Sequence, residues 1–350
     1  MTAQPQPPVP AAAASGAAAG STVGSTAGSA AGREPCSRQW DRLAAPLWGS
    51  AARTAFWVCV EQPGPWGVHA LVDSRLDPAI GAALDAATRS AGGRPLLIRA
   101  VGDRRQDIGT TLRRVYLAGG AATGRPWLLQ GLIADPSALV DLPWAQIAGG
   151  DQAAVRAALP DLEPCPDPLL LVCTNGKRDR CCAERGRAVA GYAAGQRGAT
   201  VWECTHTGGH RFAPTGLILP TGAMLGRLDG PVAVAALDAA RDGSLPEVVL
   251  AGGHLRGLAH LEPAAQAADA YIRGTIGETS SAALQVTPAD DGLLARLRGR
   301  LGSRTETSYV VRHRDGRSWP VVVTARKVPT PPASCGKAPG AETLYAVRPA

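Results

Sequence analysis

Lysine is nearly missing from this 350-residue chain: of its 36 basic residues only Lys177, Lys327 and Lys337 are lysines, and the rest are arginines. Aromatic residues are scarce as well, at 4% with only two phenylalanines. With no basic stripe interleaved with aromatics, the net charge of +7 reads as a diffuse, solvated surface and not as a nucleic-acid face. A mild positive field can still steer an acidic protein partner. Long apolar runs are missing too. Gly, Pro, Arg or Asp breaks every stretch before the roughly 18 apolar residues that a membrane-spanning helix needs, so no membrane crossing is expected. The first 32 residues lack charged side chains and are mostly Ala, Gly, Ser and Pro. A secretory leader needs a basic start and a strongly apolar centre, so residues 1–35 read as a disordered tail. No GxGxxG, GxxxxGK[ST] or HExxH pattern occurs, which leaves nucleotide-binding and zinc-protease chemistry without support. Eight cysteines in so long a chain are too sparse for a small secreted disulfide framework, and a cytoplasmic location is expected.

The hydrophobic balance, 45% apolar against 19% charged, is that of a globular α/β chain long enough for two or three domains. Order is expected from Trp40 onward. AFWVCVE at 55–61 reads as a buried strand, and the segment after Asp77 as a capped helix closed by glycines. Strands follow at 95–101, 113–118 and 126–134, then a helix at 136–148. The second segment repeats that order: a strand at 168–174, a helix from Cys182 to Ala194, strands at 200–204, 217–220 and 223–228, and a helix at 231–241. The pattern predicts two thioredoxin-like halves, 36–150 and 151–262, each a strand-helix-strand unit joined to a hairpin and a closing helix. Each half carries a cysteine in its first strand, Cys59 and Cys173. A small C-terminal α+β extension at 263–350 adds helices at 263–274 and 290–300 and a hairpin, TSYVVRH turning into SWPVVVTARKV.

Chemistry concentrates between residues 173 and 210, where Cys173, Cys181, Cys182, Cys204, His206 and His210 fall within about one tenth of the chain. Taken singly, each is most simply a buried thiol or a core histidine. Together they sit in polar, glycine-containing segments, CTNGKRDRCC and THTGGHRF, which core packing does not explain. Gly208 and Gly209 open backbone conformations closed to other residues, so one loop can wrap both imidazoles around one centre. Two thiolates and two imidazoles suit tetrahedral zinc or a 2Fe-2S cluster. Structural zinc usually draws on tight Cys-x2-4-Cys knuckles, whereas Cys173 and Cys182 are separated by eight residues, so zinc is the lesser reading. Adjacent helical positions point about 100° apart, so only one of Cys181 and Cys182 can face that centre, and geometry leaves open which. His69, His254, His260 and His313 are isolated and read as structural. Cys335, in the loop PPASCGKAPG, reads as a plain loop thiol, with a reactive exposed thiol as the alternative.

CTNGKRDRCCAERG followed by VWECTHTGGHRFAPTGLILPTG strongly resembles the sucrase/ferredoxin-like family, thioredoxin-like ferredoxins whose 2Fe-2S cluster has two Cys and two His ligands. The resemblance implies Cys173 and Cys182, spaced Cys-x8-Cys, and His206 and His210, spaced His-x3-His, as ligands. It extends more loosely over 36–350, through GPWG at 64–67 and SCGK at 334–337. Asn175 departs from the His found there in many relatives, a position outside the ligand set. The expected function is one-electron transfer or redox sensing, with a redox protein, a flavin reductase, as partner. Two neutral imidazoles in place of two thiolates should raise the potential. An imidazole that loses its outer proton in the oxidised state should make that potential fall with rising pH, by about 59 mV per unit for one electron and one proton. The alternatives are a zinc-stabilised binding module and a thiol oxidoreductase using Cys181 and Cys182, the latter disfavoured because vicinal disulfides are strained. An electron carrier is favoured over a catalyst. Sucrose hydrolysis is not supported, since Asp179, Glu184 and Glu203 are the only carboxylates near the site and no paired acid and base in a sugar cleft is evident.

Overall fold

Pro35 opens the first element, α1 (Cys36–Leu43), which buries Cys36, Ser37 and Trp40. Order therefore starts before Trp40, because Trp40 needs the rest of its helix to reach the core. The computed structural model describes residues 34–103, 112–289 and 304–350. The expected tail therefore falls outside the described residues up to position 33. β1 (Trp57–Glu61) leads to α2 (Pro78–Ser90), whose first turn is capped by Asp77 accepting from the N–H groups of Ala79 and Ile80. β2 (Arg94–Ala100), β3 (Arg113–Gly119) and β4 (Trp127–Ile133) follow. The single helix expected at 136–148 is instead a 3-10 turn at Pro136–Leu139 and the short α3 (Trp144–Ala148), with α4 (Gln152–Ala158) after it. Pro143 explains the break, since the residue before a proline is disfavoured in helical geometry and proline donates no N–H. A two-residue strand, β5 (Glu163–Pro164), pairs with β4.

The second series runs β6 (Leu169–Cys173), α5 (Arg180–Arg197), β7 (Val201–Cys204), β8 (Gly216–Leu219), β9 (Ala223–Leu225) and α6 (Gly230–Ala239). In both series the first strand pairs parallel with the second and antiparallel with the third, and the third pairs antiparallel with the fourth. The strand order β2-β1-β3-β4 thus recurs as β7-β6-β8-β9. β2 and β7 then pair antiparallel, Ile98 opposite Cys204 and Arg99 opposite Glu203, so both series lie in one ten-stranded mixed sheet.

The two first strands read as unbroken apolar runs because both of their faces are covered. Val58 and Val60 pack with Leu84 of α2 in one cluster, and Leu170 and Val172 pack with Val189 and Ala190 of α5 in another. Their alternate residues, Trp57, Cys59, Leu169, Leu171 and Cys173, meet in a third cluster that draws on both series. α7 (Glu247–Ala251) and β10 (Leu255–Leu258), the latter on the edge of the large sheet, escape the sequence pattern. α8 (Pro263–Ile276) then packs on a four-stranded antiparallel sheet of β11 (Leu284–Pro288), β12 (Arg304–His313), β13 (Ser318–Thr330) and β14 (Gly340–Pro349). The expected hairpin is β12 and β13, and it gains a strand on each side. Ala268 and Ile272 meet Tyr309, Val311, Val321 and Val323 there. The helix expected at 290–300 lies outside the described residues. No helix among the described residues is long and apolar enough to cross a membrane.

Candidate metal centre

Cys173 closes β6, and α5 begins seven residues later over the carboxyl end of that strand. Gly186 makes the approach possible: a Cβ there would stand 2.4 Å from the Cys173 carbonyl oxygen. Asp179 caps α5 by accepting from the Cys181 N–H at 3.0 Å. The two vicinal thiols then diverge as a helix requires. Cys182 joins Cys173 in the cluster shared by both strand series, whereas Cys181 joins Cys36 and Cys335 on another side. Cys173 and Cys182 are each 1% exposed. The Cys182 thiol, then the His206 ring and the Thr207 N–H, hold the Cys173 pKa well below the usual thiol value against the effect of burial. The same hydrogen bond with Cys173, then burial, pushes the Cys182 thiol up.

The loop after β7 brings in the imidazoles. Gly208 (φ 85°) and Gly209 (φ 71°) both take left-handed backbone angles, and a Cβ on Gly209 would stand 2.4 Å from the Arg256 guanidinium. Two arginines, Arg256 buried and Arg94 partly buried, clamp the loop by its carbonyls: Arg94 donates to His206 at 2.9 Å and Arg256 donates to Gly208 at 2.9 Å. Burial pulls Arg94 down to about 10 and Arg256 to about 9, so both stay charged at neutral pH. The His206 and His210 rings lie with centroids 5.0 Å apart. Their Nδ1 atoms are buried without a hydrogen-bond partner, and His210 Nε2 stands 3.7 Å from Asp179 Oδ2. Burial lowers the His210 pKa and Asp179 opposes that shift.

All four expected residues are therefore brought into one neighbourhood, by a strand end, a helix start and one loop. The sucrase/ferredoxin-like family pattern matches residues 47–241, more than half of the chain. The chain belongs to that family. No curated protein and no solved structure matches it. In this sucrase/ferredoxin-like chain the GPWG segment of the first series also borders the site: Asn175 donates to the Gly67 carbonyl at 3.1 Å, and the Arg99 guanidinium lies 4.1 Å over Trp66.

The remaining residues near the site sort by their contacts. Cys204 lies opposite Cys173 in the β6–β7 ladder, fully buried, and burial pushes its pKa well up, as it does for Cys59. Glu203 forms a buried ion pair with Arg99 at 2.6 Å and accepts from the Thr174 hydroxyl at 2.7 Å, while Glu184 pairs with Arg180 on the exposed side of α5. Asp179 is buried, which opposes its charge, yet the Cys335 N–H, His210, the Ser334 hydroxyl and the Cys181 N–H keep its carboxyl below the usual range.

Cys335 is not the plain loop thiol expected from its Pro-rich surroundings. It reaches Cys181, and with Cys36 and Asp179 it forms a group whose ligand atoms lie within 4.8 Å of one another and could hold a metal ion. Cys36, Arg94 and Arg256 went unnoticed in the sequence. Arg256 had a visible signal, a charge inside the apolar strand run LRGL, whereas Arg94 stands at the first position of β2, before its apolar run. Cys36 had none.

Proposed function

We propose that this chain is a one-electron carrier or redox sensor whose second strand series, with its closing helix, is a thioredoxin-like unit holding a 2Fe-2S cluster through Cys173, Cys182, His206 and His210. The observation that carries this reading is the convergence of two buried thiols on two imidazoles whose Nδ1 atoms are buried with no other partner. Buried polar nitrogens are normally satisfied, so two orphans in one place fit a metal-binding role. When bound, such a group accepts one electron at a potential raised by its neutral imidazole ligands.

The chain's own residues divide the remaining work. Cys173 supplies a buried thiol whose pKa its neighbours Cys182 and His206 hold down. Arg94 and Arg256 fix the loop that aims both rings, and α5 and β6 exclude water from the sulfur side. The two rings are only partly buried, unlike the thiols, so a redox partner meets the imidazole side. The outer Nε2 of His210, beside Asp179, holds the proton whose loss makes the potential fall with pH. A flavin reductase is the partner proposed, in a reducing compartment that suits eight unpaired thiols.

The recurrence of one strand order in both series supports a thioredoxin-like repeat in which the first copy has no ligand set. Replacing Cys173, Cys182, His206 and His210 with Ala in turn tests the reading. Each variant should lose most of its iron, sulfide and visible absorption, while Cys204→Ala keeps them. Four variants with wild-type iron, sulfide and spectra would place the site elsewhere.

A further inference from the structure

Three thiols from distant parts of the chain meet beside the amino end of α5. Cys36 Sγ lies 3.6 Å from Cys181 Sγ, Cys181 Sγ lies 3.0 Å from Cys335 Sγ, and Cys335 Sγ lies 3.6 Å from Cys36 Sγ. Asp179 brings a carboxylate oxygen into the same group, and Cys36, Cys181 and Asp179 are buried. We propose that Cys36, Cys181, Cys335 and Asp179 form a second metal site, separate from the two-Cys, two-His centre, that binds one zinc ion and fastens α1 and the β13–β14 loop onto the start of α5.

The spacing favours a single metal over its competitors. Thiolates at about 2.3 Å from a tetrahedral zinc stand about 3.8 Å apart, close to two of the three separations. A disulfide would join two of the sulfurs at about 2.05 Å and leave the third thiol and the carboxylate unexplained. The donor set, three soft thiolates and one carboxylate, contains only ligand types that zinc accepts. Cys36 and Cys181 sit in the first turns of α1 and α5, on rigid elements that hold their thiols in place. Asp179 Oδ1 accepts one hydrogen bond, from Cys181, and so keeps acceptor capacity for a cation.

The scaffold is already drawn together by independent contacts. Arg185 of α5 donates to Ser37 at 3.0 Å and to Asp41 at 2.9 Å in α1, and the Trp40 indole donates to the Pro332 carbonyl at 3.1 Å. Ser334 donates to Asp179 at 2.8 Å and the Cys335 N–H does so at 2.9 Å. Binding would release the thiol protons to solvent with no change of oxidation state. Asp179 also stands 3.7 Å from His210, so the zinc site would brace the same turn that presents Cys182.

The test is metal analysis of the full chain purified anaerobically from zinc-supplemented growth, with Cys36→Ser, Cys335→Ser and Cys173→Ala alongside. The wild type should hold about one zinc per chain beyond its iron, and exchange with cobalt should give the thiolate charge-transfer and visible bands of tetrahedral cobalt. Cys36→Ser and Cys335→Ser should each lose at least about fivefold in zinc while keeping iron and sulfide, and Cys173→Ala should keep the zinc. The cobalt spectrum of the unaltered chain decides the matter if either Ser variant fails to fold. A wild type without zinc or a tetrahedral cobalt spectrum would overturn the proposal. So would zinc retained by both Ser variants, zinc lost only with Cys173, or a Cys181–Cys335 disulfide found by mass spectrometry under the same anaerobic conditions.

Discussion

Single residues carry much of the site's geometry and some of the chain's response to pH. Arg256 gives up hydration to sit inside β10, and its return is a set of hydrogen bonds to the Gly208 carbonyl and to Ser50. His260 shows the opposite economy. Burial lowers its pKa, with Asp269 opposing and Arg273 adding to the shift. A histidine that resists protonation when folded takes up a proton more readily when unfolded, so stability from this residue is complete above the unfolded value of about 6.5 and is lost as pH falls below it. Denaturant unfolding of wild type and His260→Gln across pH 5 to 8 checks this, and the variant should show the shallower acid decline. Equal slopes would assign the acid response to other groups. Cys173 and Cys182 were legible at this scale only through their place in a recognisable motif. Which of the vicinal thiols faced Cys173 needed the helix start at Arg180, which no residue pattern located to within one position.

At the scale of elements, the strands that packing covers on both faces were readable as apolar runs, and their order repeated visibly. Exposed strands were not. β11 and β14 bury little and show no apolar run, so they went unseen, and although the loop holding Cys335 was legible as a loop, its contact with Asp179 was not. α4 was hidden and the expected helix at 136–148 shrank to α3 for another reason, since each has barely one or two turns and a proline or Asp resets the helical period. The decisive contact between elements is α5 on the end of β6. Gly186→Ala would push a methyl into the Cys173 carbonyl, and overpacking of this kind costs about 1–3 kcal/mol. The expected result is a lower unfolding midpoint together with reduced iron content, because the same displacement separates Cys182 from Cys173. An Ala variant with full iron and wild-type stability would show that α5 can shift without cost.

On the scale of the whole molecule, the large sheet joins two strand series of the same order through the β2–β7 pair, where the buried Arg99–Glu203 bond lies beside the GPWG loop. All four proposed ligands come from one series, while described residues of the other series border them: Asn175 meets Gly67 and Arg94 meets the loop of His206. The C-terminal sheet contributes as well: Glu342 of β14 lies 3.4 Å from Arg211, next to His210. Contacts between positions so far apart in the chain leave no local trace in the sequence, and Cys36, Cys181 and Cys335 are the clearest instance. The most direct test of the central claim is pulsed electron paramagnetic resonance of the full chain, purified anaerobically and reduced by one electron. Two histidine nitrogen couplings are expected on a 2Fe-2S signal, one of them lost in His206→Cys and the other in His210→Cys. A reduced cluster without nitrogen couplings, or a chain with no iron-sulfur signal at all, would contradict ligation by Cys173, Cys182, His206 and His210.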